Sequence, residues 1–146
     1  MCFIPSFHHE MSIQMVLRSS DDERLFDNKP HDFNVQLDKH ITIYGNWVVA
    51  LTEIELNCTK KEPRTYTYFQ TCAGSFVGKS ERPLLRRVQV QKKKIIFESP
   101  YHVHVRLNEF NQIRVYIKDR NDEDCSFRDK DTCTTLNFKR IPFVFQ

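Results

Sequence analysis

Apolar and polar residues alternate with a period of two along much of the chain, which is the pattern of half-buried β-strands. In "MSIQMVLR", for example, Ile13, Met15 and Leu17 fall on one face. The other segments that we predict as strands are "DFNVQL", "NWVVALTEIEL", "RTYTYFQT", "LLRRVQVQ", "KKKIIFESP", "YHVHVRL", "QIRVYIKD" and "CTTLNFKR". The segment "NWVVALTEIEL" is apolar on both faces over its first half, as expected of a strand in the middle of a sandwich.

Turn-forming segments separate these strands, and no window has an apolar stripe at helical spacing over about three turns. The turn candidates are "SSDDER", "DNKPHD", "YGN", "KKEP", "ESP", "NEFN" and "DRNDEDCS". About eight short strands without a covering helix predict an all-β sandwich or barrel, and a jelly roll of two antiparallel sheets uses about eight strands. We predict one domain, residues 11–146, after a short N-terminal tail, residues 1–10.

The alternation also predicts which side chains form the interior of the sandwich. We expect Trp47 to fill space between the two sheets, because a large aromatic side chain suits that position. The other side chains that we expect to be mostly buried are Ile13, Leu17, Phe33, Val35, Leu51, Val105, Ile113, Val115, Leu136 and Phe138. For residues 46–56 the inward parity stays open, because both faces of that segment are apolar.

The segment "AGSFVGKS", residues 73–80, fits the loose phosphate-loop pattern A/G-x-x-x-x-G-K-S/T. A working phosphate loop joins a buried parallel strand to a helix whose N-terminus faces the phosphates. Pro83 follows Lys79 by four residues, where a helix needs a backbone N–H, and "LLRRVQVQ" then alternates as a strand. We therefore interpret this segment as a loop, and we expect neither nucleotide hydrolysis nor a bound cofactor.

The formal net charge is only +3, which is too small to argue for nucleic-acid binding by itself. The cations are nevertheless uneven, and six of them lie within thirteen residues: Arg82, Arg86, Arg87, Lys92, Lys93 and Lys94. This basic cluster is either a patch that contacts a polyanion or an acidic neighbouring subunit, or a solvated strand edge on which lysines discourage aggregation. No aromatic residues for base stacking are interleaved with the cluster along the chain, which favours the strand edge.

Candidate metal ligands are sparse, and we expect no metal site. His8, His9 and Glu10 lie in the predicted tail, and His102 and His104 share one face of a strand without a recognisable third ligand. The five cysteines are odd in number and lack C-x-x-C spacing, which predicts free buried or half-buried thiols.

Signals for catalysis, secretion and membrane insertion are also missing from the sequence. No serine or cysteine sits in a nucleophile-elbow setting, so we predict no catalytic residue and no enzymatic activity. The N-terminus does not resemble a signal peptide, and the absence of a long apolar run predicts no membrane span.

Several segments, taken together, resemble the minor capsid or penton protein of Polinton/Maverick elements and adintoviruses. In that family an "F-x-V-x-L" strand precedes "I-x-L-x-G-x-W-x-V-A-L-x-E-I", and the corresponding residues here are Phe33, Val35, Leu37, Ile41, Ile43, Gly45, Trp47, Val49, Ala50, Leu51, Glu53 and Ile54. "GSFVGKSERPLLRRV", "FESPYHVHVRLNEFNQIRVYIKDRNDEDCSF" and "CTTLNFKR" resemble later segments of the family in the same order. The resemblance covers residues 12–143.

The resemblance implies a single jelly roll that forms homopentamers at the vertices of an icosahedral shell, beside a double jelly-roll major capsid protein. It also implies a virion protein that is made in the host cytoplasm, with assembly in the nucleus left open. Whether the basic cluster makes a weak contact with DNA stays open, and we expect no contact with a membrane. The alternative is a ligand-binding jelly-roll module of the lectin-like or cytokine-like kind. Such a module usually carries a secretory signal and often disulfides or clustered calcium carboxylates, and the sequence has none of these.

Overall fold

The computed structural model describes residues 12–21, 25–56, 64–69, 74–77, 79–89, 93–106, 109–119, 121–125 and 132–141. The predicted tail, residues 1–10, lies outside these ranges. Within them the chain forms eleven strands and no helix: β1 (Ser12–Arg18), β2 (Asp32–Thr42), β3 (Asn46–Glu55), β4 (Arg64–Phe69), β5 (Ser75–Val77), β6 (Ser80–Arg82), β7 (Leu84–Gln89), β8 (Lys94–Ile96), β9 (His102–His104), β10 (Glu109–Asp119) and β11 (Cys133–Ile141). No helix long and apolar enough to cross a membrane occurs in the described ranges.

The strands form two large antiparallel sheets and one small ribbon. The first sheet has the order β1-β11-β3-β8, and β9 also pairs with β3; the second sheet has the order β2-β10-β4-β7. Both β8 and β9 pair with β3, at Glu53–Glu55 and Val48–Ala50 respectively, so they are two halves of one interrupted strand. Counted in this way, the two sheets contain eight strand positions, as the sequence predicted.

The pairing is nested, which defines the fold as a jelly roll. The first strand position pairs with the last (β1 with β11), the second with the seventh (β2 with β10), the third with the sixth, and the fourth with the fifth (β4 with β7). A chain that folds back on itself as one long hairpin and then rolls up produces this order. The predicted fold, a single jelly-roll β-sandwich, is therefore confirmed.

The core lies between the two sheets and agrees closely with the sequence pattern. Trp47 is buried as predicted, and its Nε1 donates a hydrogen bond to the Tyr44 carbonyl at 2.8 Å. Of the ten further side chains predicted to be mostly buried, eight are buried, while Ile13 and Val105 are half-buried and pack against the core. The interior is thus built by the alternating positions that the sequence indicated.

Both faces of β3 are buried, which explains why its parity could not be predicted. Trp47, Val49 and Leu51 belong to the core between the sheets. Val48 and Ala50 alternate with them and are also buried, although they lie outside the core cluster. β3 is central in its sheet, paired with β11 on one side and with β8 and β9 on the other, so apolar residues on both faces suit its position.

The segment with the phosphate-loop pattern forms a β-hairpin. β5 and β6 pair antiparallel, with Val77 opposite Ser80, and Lys79 lies exposed in the turn between them. Ser80 therefore begins a strand and not the helix that a phosphate loop requires. The sequence predicted a loop here, and the structure instead has two short strands, which we call the ribbon (residues 75–82).

Candidate functional site

The basic cluster does not form one continuous patch, because its members lie on different elements. Lys92 falls outside the described residues. Arg82 lies on the ribbon, Arg86 and Arg87 lie on β7, and Lys93 and Lys94 lie at the start of β8. The Lys94 Nζ is 2.8 Å from Glu53 Oε1 on the adjacent strand, and this hydrogen bond raises the pKa of Lys94. Lys94 therefore forms a cross-strand ion pair within the first sheet.

Arg86 bridges the two sheets at their open edge. It projects from β7, the edge strand of the second sheet, and its guanidinium carbon lies 3.9 Å from the centre of the Phe97 ring. Arg86 also donates a hydrogen bond to the Ser99 carbonyl at 3.2 Å. Burial lowers the pKa of Arg86. Both partners lie just beyond β8 of the first sheet, so this half-buried cation links the two sheets at the edge of the sandwich.

Arg82 anchors the ribbon against the outer face of the second sheet. Its guanidinium forms an ion pair with Asp122 in the turn after β10, and it lies 5.7 Å from the centre of the Tyr68 ring on β4. The ribbon is therefore fixed to two elements of the second sheet. Arg87, which lies on β7 and pairs with Tyr66 of β4 in the second sheet, stays exposed.

Two arginines and two tyrosines form a continuous stack across this outer face. The Tyr68 and Tyr116 rings are 4.9 Å apart and nearly parallel, at 18°. Arg114 lies 4.5 Å from the centre of the Tyr116 ring, and its guanidinium holds both carboxylate oxygens of Asp32 at 2.9 and 2.7 Å. With Arg82 on Tyr68, the order is arginine, tyrosine, tyrosine, arginine, which we call the arginine–tyrosine stack.

The stack corrects one argument made from the sequence. Along the chain no aromatic residue interrupts the basic cluster, and this favoured a simple solvated edge. In the fold, Arg82 and Arg86 each lie over an aromatic ring contributed by another segment, Tyr68 and Phe97. The aromatic and cationic side chains are thus interleaved in space, because the ribbon lies on β4 and the edges of the two sheets come together at Arg86.

A cleft opens where the ribbon covers the second sheet, and we call it the ribbon cleft. Its volume is about 320 Å³, and its lining residues are Tyr66, Tyr68, Val77, Ser80, Arg82, Asp119 and Asp122. Tyr68 is 1% exposed, and burial raises the pKa of its hydroxyl, although Arg82 opposes that shift. Asp119 is also buried; its Oδ1 accepts the backbone N–H groups of Asn121 and Glu123 at 2.8 and 3.0 Å.

A second, shallower cleft lies on the other side of the stack. Its volume is about 500 Å³, and its lining residues are Phe26, Asp27, Lys29, His31, Asp32, Asn34, Arg114 and Asp124. The loop that forms it is fixed by the Asn28 side chain, which exchanges two hydrogen bonds of 2.8 Å with the Asn34 backbone. The Asp124 carboxylate binds Lys118 at 2.5 Å and lies 3.7 Å from His31 Nε2. Most of the charged side chains that line this second cleft therefore form ion pairs with one another or with Lys118.

The structure places the remaining sequence candidates away from these clefts. His102 and His104 lie on β9, opposite Ala50 and Val48, and both are largely exposed. Partial desolvation and the positive charge of Lys139 both lower the pKa of His102. Among the described residues no three His, Cys, Asp or Glu side chains come together as a metal site. His8, His9 and Glu10, with Cys2, Cys58 and Cys72, fall outside the described ranges.

Neither cysteine in the described ranges is in a disulfide, as the sequence predicted. Cys125 is buried and Cys133 is half-buried. Burial raises the pKa of the Cys133 thiol, so it is protonated near neutral pH and is a poor nucleophile.

The sequence did not single out the tyrosines of the stack or Arg114. Period-two alternation did place Tyr66 and Tyr68 on one face of a strand, and this was the available signal. No protein-family model and no curated protein matches the chain.

Proposed function

We propose that the chain is a structural virion protein, the penton or vertex subunit that forms homopentamers in an icosahedral shell. The observation that carries this proposal is the nested jelly-roll pairing completed within one short chain. The residues that carry the family resemblance also occupy the positions on which this fold depends. Phe33, Trp47, Val49 and Leu51 all belong to the buried core, so the resemblance concerns residues that build the jelly roll.

A ring of identical subunits needs two different complementary surfaces, one on each side of the subunit. The first sheet offers exposed apolar side chains at both of its edges. Ile96 and Tyr101, near the β8–β9 edge, are 66% and 64% exposed, and Val16 on the opposite edge strand, β1, is 45% exposed. We propose that the β8–β9 edge of one subunit contacts the β1 edge of the next subunit in the ring. The second partner that we propose is the double jelly-roll major capsid protein.

The test is the mass and shape of the full chain at increasing protein concentration. Light scattering and negative-stain electron microscopy should detect fivefold rings of about 88 kDa, which is five times 17.5 kDa. Ile96→Ser should weaken the ring, because it removes an apolar contact at the proposed interface. Leu25→Ser is the matched control, since Leu25 is equally exposed, at 66%, but lies in the loop before β2.

Two outcomes would contradict the proposal. One is a chain that stays monomeric or trimeric at all concentrations and also fails to enter shells with a double jelly-roll partner. The other is a ring that Leu25→Ser disrupts and Ile96→Ser leaves intact, which would overturn the assignment of the interface to the edges of the first sheet.

A further inference from the structure

Three exposed cations lie together at the end of the sandwich where β3 begins. Lys139 and Arg140 are near the end of β11, and Arg140 pairs with Trp47 at the start of β3. Arg106 follows Val105, whose N–H donates a hydrogen bond of 3.0 Å to the Trp47 carbonyl on the other side of β3. The three cations are exposed, and within the described ranges none of them forms an ion pair. We call these three cations the basic end.

The register of the first sheet sets the spacing of the basic end. β11 and β9 lie on opposite sides of β3, and adjacent strands are about 4.8 Å apart, so the backbones of Arg140 and Arg106 are about 10 Å apart. Lys139 is the residue before Arg140 and pairs with Val48. Charges of one sign within about 10 Å, which is one Debye length at 0.1 M salt, act together on an anion. The spacing therefore favours a partner with several negative charges.

The carboxylates at this end of the sandwich belong to the other sheet. Among the described residues these carboxylates are Asp38 on β2 and Glu109 at the start of β10, and both strands are part of the second sheet. Glu109 lies 3.6 Å from His40 Nε2, and Asp38 is next to Lys39 in the sequence. The cations of the first sheet are therefore left for an anion from outside this part of the chain.

An exposed tyrosine lies beside the basic end. Tyr44 is 76% exposed and precedes Gly45, whose φ of 88° turns the chain from β2 into β3. A Cβ added at Gly45 would lie 3.2 Å from Arg140 Nε, so the guanidinium lies against the turn that carries Tyr44. The Tyr44 carbonyl accepts the hydrogen bond from Trp47, which fixes the turn while the tyrosine ring faces solvent. Proteins bind single-stranded nucleic acids with this combination, because cations contact the phosphates and an aromatic ring stacks on a base.

We propose that the basic end, together with Tyr44, binds single-stranded nucleic acid. Its three cations contact phosphates, and one base stacks on the Tyr44 ring. An acidic protein segment would need the cations but not the ring, so the ring favours a nucleic acid. The site does not depend on the assembly proposed above, because Val16 and Ile96 lie in the cross-strand row of Glu53, near the other end of β3. A monomer that binds the nucleic acid would support the basic end alone, and a pentamer that does not bind would support the vertex subunit alone.

The test is fluorescence anisotropy of a labelled oligothymidylate of about ten nucleotides, titrated with the full chain between about 50 and 200 mM salt. The logarithm of the affinity should fall with the logarithm of the salt concentration with a slope of about −2, because three phosphates contribute about 0.7 each. An abasic oligonucleotide of the same length and charge should bind at least about fivefold more weakly, because it has no base to stack on Tyr44.

Variants separate the two parts of the site from general surface charge. Tyr44→Ser should weaken binding of the oligothymidylate at least about fivefold and leave binding of the abasic oligonucleotide unchanged. Lys139→Gln and Arg140→Gln should each reduce the salt slope by about 0.7. Arg87→Gln is the matched control, since it removes an exposed cation of the second sheet and should change neither the affinity nor the slope. Thermal unfolding shows whether each variant is folded, and Lys139→Gln at an exposed position keeps the test valid if Arg140→Gln does not fold.

The proposal is overturned by any of four results. The first is no binding of the oligothymidylate at the lowest salt concentration. The second is equal binding of the oligothymidylate and the abasic oligonucleotide, which would exclude a stacked base. The third is equally tight binding of a polyglutamate peptide of similar charge, which would make an acidic protein segment the partner. The fourth is equal weakening by Lys139→Gln and Arg87→Gln, which would place the interaction outside the basic end.

Discussion

Replacing Thr67 with valine should stabilise the protein, because the Thr67 hydroxyl is buried without a hydrogen-bond partner. Thr67 faces the interior from β4 with 0% exposure, and among the described residues its Oγ1 has no hydrogen-bond partner. A buried hydroxyl left unpaired costs about 1–3 kcal/mol, and valine keeps the branched shape and the strand preference. Because the new methyl group must also fit the packed interior, we expect a gain near the lower limit, about 1 kcal/mol, or about 4 °C in Tm.

Urea unfolding followed by the fluorescence of Trp47, which is 6% exposed in the folded state, measures this change directly. The midpoint should rise while the slope of free energy against urea concentration stays constant, since the surface exposed on unfolding is the same. Thr134→Val is the matched control. Thr134 is equally buried, on β11, but its hydroxyl donates a hydrogen bond to the Leu17 carbonyl at 3.4 Å, so its replacement should give no gain.

The difference in unfolding free energy between the two variants tests whether the Thr67 hydroxyl lacks a hydrogen-bond partner. If Thr67→Val raises the free energy of unfolding no more than Thr134→Val does, then the Thr67 hydroxyl has a hydrogen-bond partner in solution. The two threonines would then not differ in hydrogen bonding. If Thr67→Val loses more than about 1 kcal/mol, then overpacking by the extra methyl group outweighs the removal of the hydroxyl.

Two further predictions concern charged side chains. Arg86→Met should destabilise the protein by about 1–2 kcal/mol in urea unfolding, because it removes a stacked guanidinium and its hydrogen bond at the edge of the sandwich. Arg87 is exposed, so the control Arg87→Met should change stability by less than about 0.5 kcal/mol. Equal effects would contradict the bridging role of Arg86. The hydrogen bond from Lys118 lowers the pKa of Asp124, so its stabilisation is complete above the ordinary value of about 3.9 and is lost as pH falls through the lowered value. The stability difference between the wild type and Asp124→Asn should therefore be largest near neutral pH and disappear in acid; a difference that persists there would contradict the ion pair.

The fold could be predicted because its determinants are local. Alternation with a period of two is a property of neighbouring residues, and it places Phe33 and Val35, or Ile113 and Val115, on the same face without any knowledge of the partner strand. The ribbon could not be predicted in this way. β5 and β6 have three residues each, which is too short for an alternating pattern to differ from chance.

The position of Arg86 shows where local pattern fails. In β7 the pairing shifts between the partners of Thr67 and Tyr68, so that Arg86 faces Thr67 and Leu84 faces Tyr68. This bulge adds Leu85 to the strand and interrupts the alternation, which is why Leu85 and Val88 are both buried although they are three residues apart. A bulge depends on the register with another strand, so the sequence alone could not show that Arg86 turns towards the edge of the sandwich.

The fold reduces the number of cations in the basic cluster that are available for a contact with DNA. Affinity for a polyanion comes from cations that are free to replace counterions, at about 0.9 in the logarithmic salt slope for each phosphate neutralised. Within the described ranges, Arg82 and Lys94 already neutralise Asp122 and Glu53, and Arg86 is partly buried against an aromatic ring. Arg87, Lys93 and Lys94 are the exposed members of the described cluster, and of these Lys94 is paired with Glu53. Six cations close together in sequence would suggest strong binding, whereas the fold pairs or partly buries three of the five described ones, which predicts at most a shallow salt dependence.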